Sequence, residues 1–169
     1  MTRKLSWLAL ACFGSSALFA QMSDKTLEKL RSLRGDWEGT YTWSGGRNAS
    51  GKMRAQYYIT GNGSAVVENL ISDGVPAMTS VYHLDGTDLR VTHFCAAGNQ
   101  PRLKATTIDS DGASVTFSLV DITNLRTPAS GHVEGIELKF LTPDHVTVRF
   151  RFTAGGKKSG ELVDLTRKK

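Results

Sequence analysis

From residue 35 onward the chain alternates apolar and polar positions in short runs, each closed by glycine, asparagine, aspartate or proline. Trp37, Gly39, Tyr41 and Trp43 alternate with Glu38, Thr40 and Thr42, and Gly45-Gly46-Arg47-Asn48 turns the chain. Met53, Ala55, Tyr57 and Ile59 alternate with Arg54, Gln56 and Tyr58 before Gly61-Asn62-Gly63. A period of two is the strand pattern, because successive side chains point to opposite faces. Paired glycines and Asn-Gly or Asp-Gly steps supply the hairpin turns. The same reading predicts strands over 65–71, 78–84, 89–96, 102–108, 113–121, 132–141, 145–153 and 161–167. One stretch has a different period. Leu27, Leu30 and Leu33 recur at helical spacing, Ser23 or Asp24 can cap the start, and Gly35 stops the run, which predicts a short helix over 23–34.

Short sequential connections with no crossover helix make neighbouring strands antiparallel. About ten such strands close most simply into an up-and-down barrel, which removes exposed edges. The fold expected is therefore all-β: an antiparallel barrel of about ten strands with a short N-terminal helix. A β-sandwich is the competing architecture.

Residues 1–20 read as a signal peptide. Arg3 and Lys4 precede an apolar run, and Ala17-Leu18-Phe19-Ala20 ends in a small residue. Cleavage after Ala20 would leave one domain, 21–169, in the periplasm or outside the cell, with no transmembrane segment. In a rival reading Leu8 to Cys12 is a lipobox and Cys12 carries the lipid. The net charge is +5, and losing Arg3 and Lys4 lowers it by two. The remaining excess gathers at Arg167, Lys168 and Lys169. With no basic stripe, nucleic acid is not an expected partner. Once Cys12 is removed Cys95 has no disulfide partner, so stability must come from the core. Its thiol is either buried and inert or turned toward a ligand.

Gly35-Asp36-Trp37-Glu38-Gly39 follows the predicted helix and opens the first strand. It resembles the Gly-x-Trp signature of the calycins, which include lipocalins, fatty-acid-binding proteins and nitrobindins. The resemblance implies that Trp37 closes one barrel end and that Arg167, in Leu165-Thr166-Arg167 of the last strand, lies across it. An indole face accepts a guanidinium. Ten strands and a short first turn bring the shape nearest to the nitrobindins, although no histidine here sits in a motif that carries over their haem ligand. Val81 to Gly86, Thr92 to Pro101 and Asp121 to Leu125 together resemble a group of exported bacterial proteins with no activity to transfer.

The chemistry concentrates in Thr92-His93-Phe94-Cys95-Ala96-Ala97-Gly98-Asn99-Gln100-Pro101. A four-residue loop at Asp85 to Asp88 pairs Leu84 with Leu89, Tyr82 with Val91, Ser80 with His93 and Met78 with Cys95. These eight residues share one mostly apolar face, which should line the interior. Asp121 has the parity of Val115, Phe117 and Leu119, so it is expected inside as well. Cys95, His93 and Asp121 could then form a nucleophile with its base and orienting carboxylate, or merely a buried polar cluster. Side chains two apart on one strand lie about 7 Å from each other, long for a direct thiol–imidazole bond.

The candidate ligand-binding set is His93, Cys95, Asn99, Gln100, Arg102, Tyr82, Asp121, Asn124 and His132. No metal site is expected, because His93 with Cys95 falls short of a closed ligand set. Haem needs only one axial histidine and a cavity. His145 is expected in an exposed turn. Phosphate loops, dinucleotide fingerprints and serine elbows are missing. The leading function is an exported barrel that binds a small, largely apolar molecule without catalysis. The alternatives are a haem-binding nitrobindin-like protein, a Cys/His-dependent enzyme, and an envelope interaction protein with a filled barrel. The residues specify neither a cofactor nor an oligomeric state.

Overall fold

The computed structural model describes residues 11–169. Helix α1 spans Ala11–Ser32. Ten strands follow: β1 Gly35–Gly45, β2 Ala49–Thr60, β3 Ala65–Ser72, β4 Val75–Asp85, β5 Asp88–Phe94, β6 Gln100–Ile108, β7 Ser114–Thr123, β8 His132–Thr142, β9 His145–Ala154 and β10 Lys157–Arg167. Each strand pairs antiparallel with the next, and β1 pairs with β10 from Trp37↔Arg167 to Gly45↔Ser159. The sheet is a closed ten-stranded barrel, so the sandwich alternative is excluded and no edge is left open.

The inward positions are those that the alternation marks. Met53, Ala55 and Tyr57 on β2, Val146, Val148, Phe150 and Phe152 on β9, and Val163 and Leu165 on β10 are buried. The closing seam depends on Gly39, where a Cβ would fall 1.8 Å from the carbonyl oxygen of Asp164. Only glycine admits that approach.

The helix starts earlier than the 23–34 expected. It passes unbroken through Ala20, and neither Ser23 nor Asp24 begins it. Ser23 is buried, and Thr26 bonds back to the Met22 carbonyl, so the polar residues read as a cap sit within the helix. Arg3 and Lys4 of the expected signal peptide lie outside the described residues. Among the described residues no helix is long and apolar enough to cross a membrane.

The helix covers one barrel end with Leu27 and Leu30, joined by Leu33 just after it, all buried. Arg31 donates to the Gly63 carbonyl in the β2–β3 connection, and Lys29 lies 5.9 Å from the Phe140 ring centroid on β8. The opposite end, built from the β1–β2, β3–β4, β5–β6, β7–β8 and β9–β10 connections, has no helix over it among the described residues.

Candidate functional site

The hairpin β4–β5 forms in the expected register, with Leu84↔Leu89, Tyr82↔Val91 and Ser80↔His93. It places a polar row inside an otherwise apolar barrel. Tyr57, Glu68, Ser80 and His93 are successive cross-strand partners on β2, β3, β4 and β5. Glu68 is 0% exposed. The Tyr57 hydroxyl donates to it at 2.5 Å and the Tyr82 hydroxyl at 3.1 Å. Burial pushes the Glu68 carboxyl above its ordinary range, against hydrogen bonds from Tyr57, Ser80 and Tyr82. Burial, and then the nearby Glu68, hold both tyrosine hydroxyls well above theirs.

His93 ends the row. Its Nδ1 lies 3.0 Å from Ser80 Oγ, and burial lowers its pKa to about 4, so the imidazole is neutral at physiological pH. Its Nε2 is buried without a partner among the described residues. The ring packs on Phe150 with centroids 5.0 Å apart.

Phe150 is the partition between this row and a cavity at the uncovered end. The cavity holds about 200 Å³ and is lined by Trp43, Arg47, Met78, Cys95, Phe150, Phe152 and Glu161 among others. Trp43 and Phe152 meet edge to face, 5.7 Å apart at 87°. Glu161 faces inward, 4% exposed, directly opposite Trp43 on β1 and Phe150 on β9. Burial raises its pKa to about 7, opposed by the Arg47 charge and the Trp43 indole. The Arg47 guanidinium, from the β1–β2 turn, lies 4.1 Å from the Trp43 ring centroid and 5.8 Å from that of Phe152. A larger concavity, about 530 Å³, runs over Glu38, Thr40, Lys52 and Arg54. These four side chains are exposed on the outer wall, so that concavity is a surface groove.

The predicted site residues separate into four places. Tyr82 and His93 belong to the buried row. Cys95 lines the cavity, although β5 ends at Phe94 and Cys95 starts the turn, where its carbonyl accepts from Gly98 N–H at 2.9 Å. Burial raises its thiol pKa. Asn99 is buried and donates from Nδ2 to the Gly131 carbonyl, tying the β5–β6 turn to the β7–β8 loop.

The remaining five, Gln100, Arg102, Asp121, Asn124 and His132, face outward. Gln100 accepts from Thr123 Oγ1 and Asn124 Nδ2, each at 2.8 Å, and Arg102 pairs in bidentate fashion with Asp121. The inward placement of Asp121 is therefore corrected. The ladder shifts between Arg102↔Asp121 and Leu103↔Leu119, and the extra residue, Val120, reverses the parity beyond it. His132 donates to the Ser130 carbonyl in its own loop. His145 is half-buried against Asp164, at 2.8 Å, rather than free in a turn.

At the covered end the Arg167 guanidinium lies 4.4 Å from the Trp37 ring centroid. It donates to the carbonyls of Ser32, Arg34 and Pro143 and to the Asp144 carboxylate. Trp37 is 1% exposed, and its indole N–H donates to the Leu33 carbonyl at 2.7 Å.

These placements limit the chemistry. No Cys95–His93 hydrogen bond exists among the described residues, and Asp121 lies outside the barrel, so the nucleophilic constellation is not assembled. The described residues hold no cluster of three or more metal-ligating side chains. Haem does not fit the residues present. The one interior histidine is 0% exposed behind Phe150, and a cavity of about 200 Å³ is too small for a tetrapyrrole.

Reading by sequence missed Glu68, Glu161, Trp43 and Arg47 as a set. The parity of Val66-Val67-Glu68-Asn69-Leu70 carried a signal, since Glu68 shares a face with Val66 and Leu70.

No protein-family model and no curated protein sequence matches the chain. Solved structures do resemble it. One is a protein of unknown function from the DUF3598 family of Nostoc punctiforme PCC 73102, with a TM-score of 0.55 and 12% identity over 82% of this chain. This chain spans about half of that protein, 49% of its length. Another is Rv2717c from M. tuberculosis, with a TM-score of 0.54 and 15% identity, covering 85% of this chain and 98% of that one. At such identities the likeness is one of fold, and with the closed ten-stranded sheet it fits a calycin-like barrel.

Proposed function

We propose that this protein binds a small, largely apolar molecule, about one ring in size, in the cavity at its uncovered end, without a catalytic step. The observation that carries the reading is the cavity itself: about 200 Å³ of space walled by Trp43, Met78, Val133, Phe150 and Phe152, with Glu161, Arg47 and Cys95 as its polar members. An apolar cavity of about 150 Å³ is enough to bind benzene. The middle of the barrel, by contrast, is filled by Tyr57, Tyr82, Phe117 and Leu138. That supports a ligand held at the mouth and not along the axis. Residues 1–20 support a site of action beyond the cytoplasm, which fractionation of the host and N-terminal sequencing of the mature chain would test.

Trp43 lines the cavity, so its emission reports occupancy. Titration with single-ring probes should give a saturable change that Trp43→Phe removes. Each probe should also slow labelling of Cys95 by a thiol reagent. If no probe does either up to millimolar concentration, the binding reading is wrong.

A further inference from the structure

We infer that the mouth cavity is a site for an organic cation, a small amine or guanidine with an apolar body, and that Arg47 is its built-in stand-in. The inference rests on the binding reading above and names the ligand's charge. Trp43 and Phe152 meet at 87° and form a corner of two aromatic walls. The Arg47 guanidinium occupies that corner, within about 6 Å of both ring centroids, the range in which a ring face attracts a cation. Arg47 makes no hydrogen bond or ion pair among the described residues, and it stands exposed on a turn that begins at Gly45, where φ is +85°. Its only direct contacts of this kind among the described residues are the two ring faces, and Glu161 attracts it at longer range.

Glu161 is the second half of the site. It is an inward carboxyl on β10, and its cross-strand neighbours are Trp43 and Phe150. A buried carboxylate requires a cation or several donors, yet the nearest cation rests on the rings and forms no ion pair with it. A ligand ammonium that displaced Arg47 would take the ring faces and pair with Glu161 together. Each of those interactions is only half made in the free protein. An anionic ligand would instead leave Glu161 as an uncompensated neighbour.

The proton inventory around Glu161 is short. The charged or titratable groups that face it are Arg47 from the β1–β2 turn and Cys95 from the β5–β6 turn. Tyr41 lies one inward step further along β1, beside Val163, and β9 contributes only Phe150 and Phe152. Burial raises the Glu161 pKa to about 7, so a bound cation should expel its proton. Cation affinity should then rise with pH up to about 7 and level off above it.

The test uses the full chain with three matched probes: benzylamine, benzyl alcohol and benzoate, followed by Trp43 emission and calorimetry at pH 6 and pH 8. Benzylamine should bind about tenfold more tightly than benzyl alcohol at pH 8, with benzoate weakest. Arg47→Ala should strengthen benzylamine binding by removing the resident cation. Glu161→Gln should bring benzylamine down to the affinity of benzyl alcohol. Thermal melts confirm that both variants fold. A preference for benzoate that Arg47→Ala abolishes would make Arg47 an anion anchor and overturn the inference while leaving the binding reading intact. Equal binding of all three probes would overturn it in the same way. Failure of every probe to bind would remove both.

Discussion

Strand β1 carries a tryptophan toward each end of the barrel, and each tryptophan meets an arginine. Arg167 lies 4.4 Å from the Trp37 ring centroid and Arg47 lies 4.1 Å from that of Trp43. The stacks are nearly identical, and their surroundings are opposite. The Arg167 N–H groups are taken by three carbonyls and the Asp144 carboxylate, from α1, the segment after it and the β8–β9 turn. Arg47 makes no hydrogen bond or ion pair among the described residues and rests on ring faces. The Trp37 indole is 1% exposed under the helix, whereas Trp43 is half-buried and lines the mouth cavity. The same cation–aromatic pair therefore serves as a fastener where its donors are satisfied and as a displaceable occupant where they are not. What decides is the ring of acceptors around the guanidinium, and the helix, the segment after it and the β8–β9 turn supply that ring at one end only.

The widest separation of the two ends should come from truncating the indoles. Trp37→Ala should cost about 3–5 kcal/mol in urea unfolding, the range for emptying a large aromatic site in a core. Trp43→Ala should cost about 1–2 kcal/mol, because that ring is already partly in water. Equal losses would mean that the uncovered end is as much a part of the core as the covered one. The arginines should follow in the same order with smaller effects. Arg167→Ala removes several charge-assisted hydrogen bonds and a stack, for a cost of about 2 kcal/mol. Arg47→Ala should stay within about 0.5 kcal/mol of the parent, as surface changes do. A large loss on Arg47→Ala would break the distinction between fastener and occupant.

That contrast was only half legible in the sequence. Trp37 and Arg167 stand out because a Gly-x-Trp motif and the chain's last strand mark them. The ten strands were legible too, since alternation and turn glycines are local signals. The β4–β5 register followed from one Asp-Gly turn, and with it the place of Ser80 and His93. Asp121 was misplaced because the bulge at Val120 leaves no local mark and reverses every later side chain. Glu161 and Trp43 face each other across the closing β1–β10 seam, over a separation of most of the chain. No turn fixes that register, so no local signal could join them. Glu68 needed two registers at once, β2–β3 and β3–β4, before its tyrosines could be seen to converge on it.

Stability as a function of pH sharpens the comparison on the side of the mouth. The Glu161 pKa is raised to about 7 in the folded protein, above its value of roughly 4.3 when unfolded. Between those values the folded state holds more protons, so Glu161 contributes a loss of stability as pH rises from about 4.5 to 7 and nothing further above that. His93 acts in the opposite sense. Its pKa is lowered to about 4 from roughly 6.5 unfolded. The unfolded state then binds the extra proton, and stability rises with pH from about 4 to 6.5. Burial also raises Glu68, which adds to the Glu161 slope. Glu161→Gln should therefore match the parent near pH 4 and exceed its stability by about 1–3 kcal/mol at pH 8. Parallel curves for the two proteins would show that the mouth is wet enough to leave Glu161 unperturbed.

The smallest effect belongs to Cys95, and it measures openness directly. The thiol lines the cavity and is half-buried. Burial raises its pKa first; the Ala97 N–H and Arg47 oppose the rise, and the Glu161 charge adds to it. A small thiol reagent should therefore react with the native protein more slowly than with the protein in urea. The native rate should also stay flat with urea below the unfolding transition, because the thiol is reached through the mouth and not by unfolding. Arg47→Ala should slow the native reaction further, since it removes the cation that favours the thiolate. A probe bound in the cavity should slow it most. If the native rate instead tracks the unfolded fraction across the urea series, Cys95 is sealed, and the end left uncovered by the helix is closed by its own side chains.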